Sequence, residues 1–159
     1  MVYLSLIGSE TFYEGYLVDL TNALRMKDAG NGVQSLRVNP KLSKTAKDYS
    51  LYLLNNMLFS HFSLDGKSVD SRAVGNNYNY QHVGENLGVI KTNQNDFVLD
   101  TEAVDSLFDG WVKSAEHYKN IISPNFDEVG VGFSLGNTSD TTTPIHLYGV
   151  VVFGREFAD

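Results

Sequence analysis

The run Ile145 to Phe153, Ile-His-Leu-Tyr-Gly-Val-Val-Val-Phe, constrains the fold more than any other part of the chain. It is rich in β-branched and aromatic residues, and its apolar end does not alternate with polar positions. Such a strand needs cover on both faces. Upstream, Val129, Val131 and Phe133 alternate with Gly130, Gly132 and Ser134. This is the period of a strand with side chains on one face and glycines on the other. Gly136 to Thr143 is polar and reads as the hairpin loop between the two.

The covering layers come from earlier in the chain. Ser9, with Glu10 and Glu14 behind it, reads as a helix start. Phe12, Tyr16, Leu17, Leu20, Ala23, Leu24 and Met26 then recur near helical spacing as far as Asp28-Ala29-Gly30-Asn31-Gly32. Val33 to Val38 is an extended connector closed by Asn39-Pro40. A second helix is predicted from near Ser43, with Ala46, Tyr49, Ser50, Leu53, Leu54, Met57 and Leu58 on one side, fraying at Phe59-Ser60-His61. Residues 62–82 read as a loop with a turn at Asp65-Gly66 and one helical turn near Val69 to Ala73. Glu85 to Ile90 is a short strand. A third helix, capped by Asp100 or Thr101, carries Ala103, Val104, Leu107, Phe108, Trp111, Ala115 and Tyr118 and ends at Ser123-Pro124-Asn125. Helices first and a hairpin last give an α+β class, with helices covering a small antiparallel sheet.

At 159 residues the chain suits one domain, 1–159, with enough length to bury a core. A net charge of −7, scattered rather than blocked, argues against nucleic acid as a partner, since phosphate binding needs clustered cations. The absence of cysteine removes disulfides, thiolate ligands and cysteine nucleophiles. No apolar run approaches the ~20 residues of a membrane span. Met1 to Ile7 is too short for a signal-peptide core and lacks a basic start, so the expectation is a chain without an export signal of its own. The expected state is a monomer.

Chemistry concentrates in three motifs: Phe59-Ser60-His61, Gly84-Glu85-Asn86-Leu87 and Trp111-Val112-Lys113-Ser114-Ala115-Glu116-His117. Two imidazoles and a carboxylate could form a metal site or an acid/base site. From the residues alone, His61 also fits a helix C-terminus, favourable against the dipole, and His117 a surface position. No Gly-x-Ser-x-Gly elbow, His-Glu-x-x-His helix or phosphate loop is present.

These motifs occur in a fixed order with others: Lys41-Leu42-Ser43-Lys44-Thr45-Ala46, Asp65-Gly66-Lys67-Ser68, Arg72, His117-Tyr118-Lys119-Asn120-Ile121 and Asn125-Phe126-Asp127-Glu128-Val129-Gly130-Val131-Gly132. Together they resemble the CAP superfamily (cysteine-rich secretory proteins, antigen 5 and pathogenesis-related proteins), in its bacterial SCP-domain branch, over residues 13–154. The resemblance implies an α-β-α sandwich with a cleft holding two histidines and two acids, and in some members zinc or another divalent cation. By position His61, Glu85 and His117 take three of the four places, and Ser114 stands where the other carboxylate is expected. Glu116 is not assumed to replace it, because it projects about 100° from His117 on a helix. The resemblance also implies a secreted or cell-surface location.

Further expectations attach to single residues. Glu85 serves both as a turn carboxylate bonded to backbone N–H groups and as a ligand or orienting partner of an imidazole. Asn86 braces backbone. Arg72 pairs with Asp65 or Asp70 and fixes the long loop. Trp111 belongs to the core. Tyr78, Tyr80, Ser114, Glu116 and Tyr118 are candidates for the cleft wall, and His82 and His146 are structural. The functional expectation is a non-catalytic binding protein whose cleft takes a divalent cation and a small molecule, peptide, glycan or lipid. The alternatives are a metal-assisted peptide or ester hydrolase, with His61, Glu85 and His117 as its catalytic candidates, and a lipid or sterol carrier.

Overall fold

The computed structural model describes residues 7–30 and 32–158. Met1 to Leu6, most of the segment read for an export signal, lie outside them. The elements are α1 (Ile7–Asp28), β1 (Arg37–Val38), α2 (Pro40–Asn56), α3 (Val69–Gly75), β2 (Tyr80–Thr92), α4 (Thr101–Val112), α5 (Ala115–Ile122), β3 (Glu128–Asn137) and β4 (Ile145–Glu156). The sheet runs β1-β3-β4-β2; β2 and β3 flank β4 antiparallel, and β1 adds two parallel residues beside Glu128 and Val129.

The unbroken apolar run of β4 has the expected consequence. Leu147, Val151 and Phe153 join a core with Leu17 of α1, Leu107 and Trp111 of α4, and Ile121 of α5. Tyr148, Val150 and Val152, pointing the other way, join Leu42, Ala46, Tyr49 and Leu53 of α2. Helices therefore cover the sheet on both sides, an α+β sandwich. No helix among the described residues is long and apolar enough to cross a membrane.

Several boundaries differ from the sequence expectation. The third helix is two, because Lys113 and Ser114 break it and α5 restarts with Ser114 as its N-cap. The second begins earlier, at Pro40, where Asn39 accepts the Lys41 N–H and proline occupies the first turn at no hydrogen-bonding cost. It ends cleanly rather than fraying: Met57 takes a left-handed conformation (φ 45°), and the Met57 and Leu58 N–H groups reach the Leu54 and Leu53 carbonyls. His61 thus lies beyond the helix end. The strand expected over 85–90 extends over 80–92, since every residue from His82 to Thr92 pairs with β4.

Arg25 is the structural residue that the sequence did not announce. It is 1% exposed, and its guanidinium donates to the carbonyls of Gln34, Ile121, Ser123 and Phe126 at 2.8–3.0 Å. One side chain thereby joins the end of α1, the connector before β1 and the chain between α5 and β3.

Candidate functional site

Glu85 lies in β2 opposite Val152, so its side chain emerges on the α2 face. Its neighbour Asn86 faces the other layer, as strand alternation requires. β2 is an edge strand, and elements from both layers meet at its border. From the α2 side comes the segment after the helix, where Tyr49 Oη donates to the Ser60 carbonyl at 2.5 Å. From the opposite side comes α5: Asn86 Nδ2 donates to the His117 carbonyl, and Asn120 Nδ2 to Asn86 Oδ1 and the Glu85 carbonyl. Asn86 braces backbone as expected. Asn120 is a positioning residue to which the sequence alone assigned no role; its one signal was a polar amide within the family motif.

The Glu85 carboxylate is almost wholly buried and fully engaged. Oε1 stands 2.9 Å from His61 Nδ1, and Oε2 accepts from Arg72 Nη2 at 2.7 Å. Among the described residues no backbone N–H donates to it; the expectation of a turn carboxylate fails because Glu85 sits inside a regular strand. Arg72 likewise departs from expectation. Asp65 accepts from Ser63 and neighbours Lys67, and Asp70 accepts from Ser68, so neither is its partner. Arg72 instead spans the loop and the site: Nη1 donates to the Lys67 and His61 carbonyls, and the guanidinium lies 3.4 Å from the centre of the Tyr49 ring. Its Nε–H is buried with no hydrogen-bond partner among the described residues. Arg72→Lys should lower unfolding free energy by about 1–2 kcal/mol in urea titration, because a single ammonium cannot reproduce the fork. Hydrogen exchange should quicken in residues 61–67 first.

His117 is held by a different partner. Its Nδ1 lies 2.8 Å from Ser114 Oγ, and that hydroxyl consequently makes no cap bond to the α5 backbone. Burial first, and then the charge of His61, push the His117 pKa below the ordinary histidine value, while Glu116 acts the other way. Glu116 itself is exposed. No hydrogen bond joins His117 to His61 or Glu85 among the described residues, and no three His, Asp or Glu side chains among them are grouped to hold a metal ion. Glu85 is spent on His61 and Arg72. What the edge offers outward is two imidazoles, each with Nδ1 engaged and Nε2 uncommitted by any hydrogen bond among the described residues.

The tyrosines divide. Tyr78, expected on the cleft wall, is wholly buried; its hydroxyl donates to Glu128 and its ring presses on Gly154. The loop before β2 folds inward there, and burial with the neighbouring Glu128 raises the phenol pKa strongly. Tyr118 donates to Asp28 at the end of α1. Tyr80 packs against the α2-side core. Trp111 is core, as expected, with its indole N–H donating to the Leu87 carbonyl. His146 is buried between Tyr148 and Asp140, far along β4 from the site.

The family model described as CAP, cysteine-rich secretory protein family, matches residues 18–153. The chain belongs to the CAP family. Among curated proteins, YkwD of Bacillus subtilis (strain 168) is 30% identical over 126 residues, 79% of this chain and 44% of that protein. The chain thus spans under half the length of that relative. A solved extracellular protein containing an SCP domain from Bacillus anthracis superposes with a TM-score of 0.75 at 20% identity, covering 98% of this chain and 44% of that one. An outer surface protein from Borrelia burgdorferi superposes with a TM-score of 0.69 at 21% identity, covering 91% of this chain and 93% of that one. At these identities the likeness to the solved structures establishes the fold.

Proposed function

We propose that this CAP domain is a non-catalytic, extracytoplasmic binding module whose cleft takes a divalent cation on His61 and His117. The carrying observation is the shared arrangement of the two imidazoles: Glu85 fixes Nδ1 of one and Ser114 fixes Nδ1 of the other. Outer partners of this type set the tautomer and orientation of metal-ligating histidines. The donor set fits a borderline cation such as zinc, and with two protein ligands it leaves positions for water or for a ligand's own donors. A bound cation would supply charge and an attachment point for an anionic or carbonyl group. The extracytoplasmic reading draws on the neighbours described as extracellular and outer-surface proteins.

Zinc titration by calorimetry tests this reading. Wild type should bind one equivalent, His61→Ala with His117→Ala should bind none, and His146→Ala should match wild type. Affinity should weaken as pH falls through the histidine range, because ligand imidazoles must be neutral. The low His117 pKa keeps that group neutral further into acid than an ordinary histidine. Equal binding by all three proteins would remove the site. Zinc-dependent hydrolysis of peptides or esters by the loaded protein would convert the module into an enzyme.

A further inference from the structure

Beside the His61 loop, and lined by none of His61, Glu85 or His117, lies a hollow of about 520 Å³ between α2, α3 and the loop joining them. Its wall is a stack. The Tyr49 and Tyr52 rings lie nearly parallel, 11° apart at 5.8 Å between centres, and the Arg72 guanidinium closes on Tyr49. Around it stand Asp48, Asp65, Lys67, Ser71 and Asn76. The charges balance: Asp48 is paired with Lys44 at 2.6 Å, Asp65 with Lys67 at 3.7 Å, and Arg72 with Glu85. An anion would meet two carboxylates and a metal ion would meet two cations, so neither class is favoured. Hydroxyl groups meet no such penalty, since they donate to carboxylates and accept from ammonium and amide groups. A ring with one apolar face and a polar rim also matches the half-buried Tyr52, whose body is apolar and whose tip is polar, with the buried Tyr49 behind it.

We propose that this hollow binds a sugar ring of a neutral glycan. The rim is already built for it. Gly66 N–H donates to the Ser63 carbonyl, Ser63 N–H to the Lys67 carbonyl, Leu64 N–H to Tyr52 Oη at 2.9 Å, and Arg72 Nη1 to the Lys67 carbonyl. Asp65 is fixed by the Ser63 hydroxyl and the Lys67 N–H, which hold its carboxyl below the usual range and keep it an acceptor. Little loop ordering is left for binding to supply.

The test is saturation-transfer NMR with cellotriose, chitotriose, maltotriose and mannotriose, and sulfated chitotriose as the charged comparison. At least one neutral sugar should bind the wild-type chain. Tyr52→Ala should weaken it by roughly tenfold or more, equivalent to about 1.4 kcal/mol. Tyr52 also touches Tyr49, so Ser71→Trp, at an exposed α3 position, obstructs the hollow without touching the core and should abolish binding. His61→Ala with His117→Ala should leave it unchanged, which separates this site from the cation site. The proposal fails if no neutral sugar binds wild type, if binding survives in both folded hollow variants, or if only the sulfated sugar binds.

Discussion

Arg25→Met should lower the unfolding free energy by about 4 kcal/mol, a loss on the scale of emptying an aromatic core position. Charge-assisted hydrogen bonds contribute about 1.5–3 kcal/mol each, and Arg25 makes five, to four carbonyls. Against that gross gain stands the cost of burying a guanidinium with no carboxylate in ion-pair contact among the described residues, several kcal/mol. Methionine removes that cost but leaves four carbonyls, in the connector before β1 and in the stretch from α5 to β3, without their donor. Arg25→Lys should recover only part of the loss, since an ammonium cannot span the same fan of acceptors. Urea unfolding of the three proteins checks this, and a loss under about 1 kcal/mol in Arg25→Met would show that water replaces the guanidinium.

Gly130→Ala should cost about 3 kcal/mol and should also disturb the candidate site. A Cβ at position 130 would lie 2.1 Å from the Leu42 carbonyl carbon and the Ser43 nitrogen; one at 132 would lie 2.4 Å from Lys47 Cα. The obstructing atoms are helix backbone, so no rotamer change relieves the contact. α2 must lift by more than about an ångström to restore ordinary separation. That helix carries Tyr49, which anchors Ser60 and stacks under Arg72. The shift therefore travels to Glu85 and His61, and the zinc affinity proposed for His61 and His117 should fall along with the melting temperature. Melting paired with zinc titration separates the two readouts. Wild-type stability for Gly130→Ala would mean that α2 does not rest on β3 as described.

These two positions show how unevenly sequence encodes structure. The alternation Val129-Gly130-Val131-Gly132-Phe133 revealed a strand and its glycine face, but gave no hint that a helix backbone lies directly on that face. Arg25 carried no signal in the sequence that set it apart. His61, Glu85 and His117 were legible as a group through the motif order, and β2 does carry Glu85 to the border that α5 and the His61 segment approach. The partners were not legible. Arg72 read as the partner of an acid such as Asp65 or Asp70, and both acids satisfy themselves within two residues. Tyr78 carried a polar-aromatic signal suited to a wet rim, yet a buried acceptor on Glu128 drew it inward.

The sequence by itself determined the class of fold, the run of helices before the hairpin, and which side chains stand as candidates for chemistry. Those properties follow from periodicity and residue type, which are local. Only the tertiary structure decided what each polar group is spent on: Glu85 on His61 and Arg72, Ser114 on His117, Arg25 on four carbonyls. Buried polar groups must find partners across the fold, and which partner is nearest depends on how the layers dock, a quantity that no window of sequence contains.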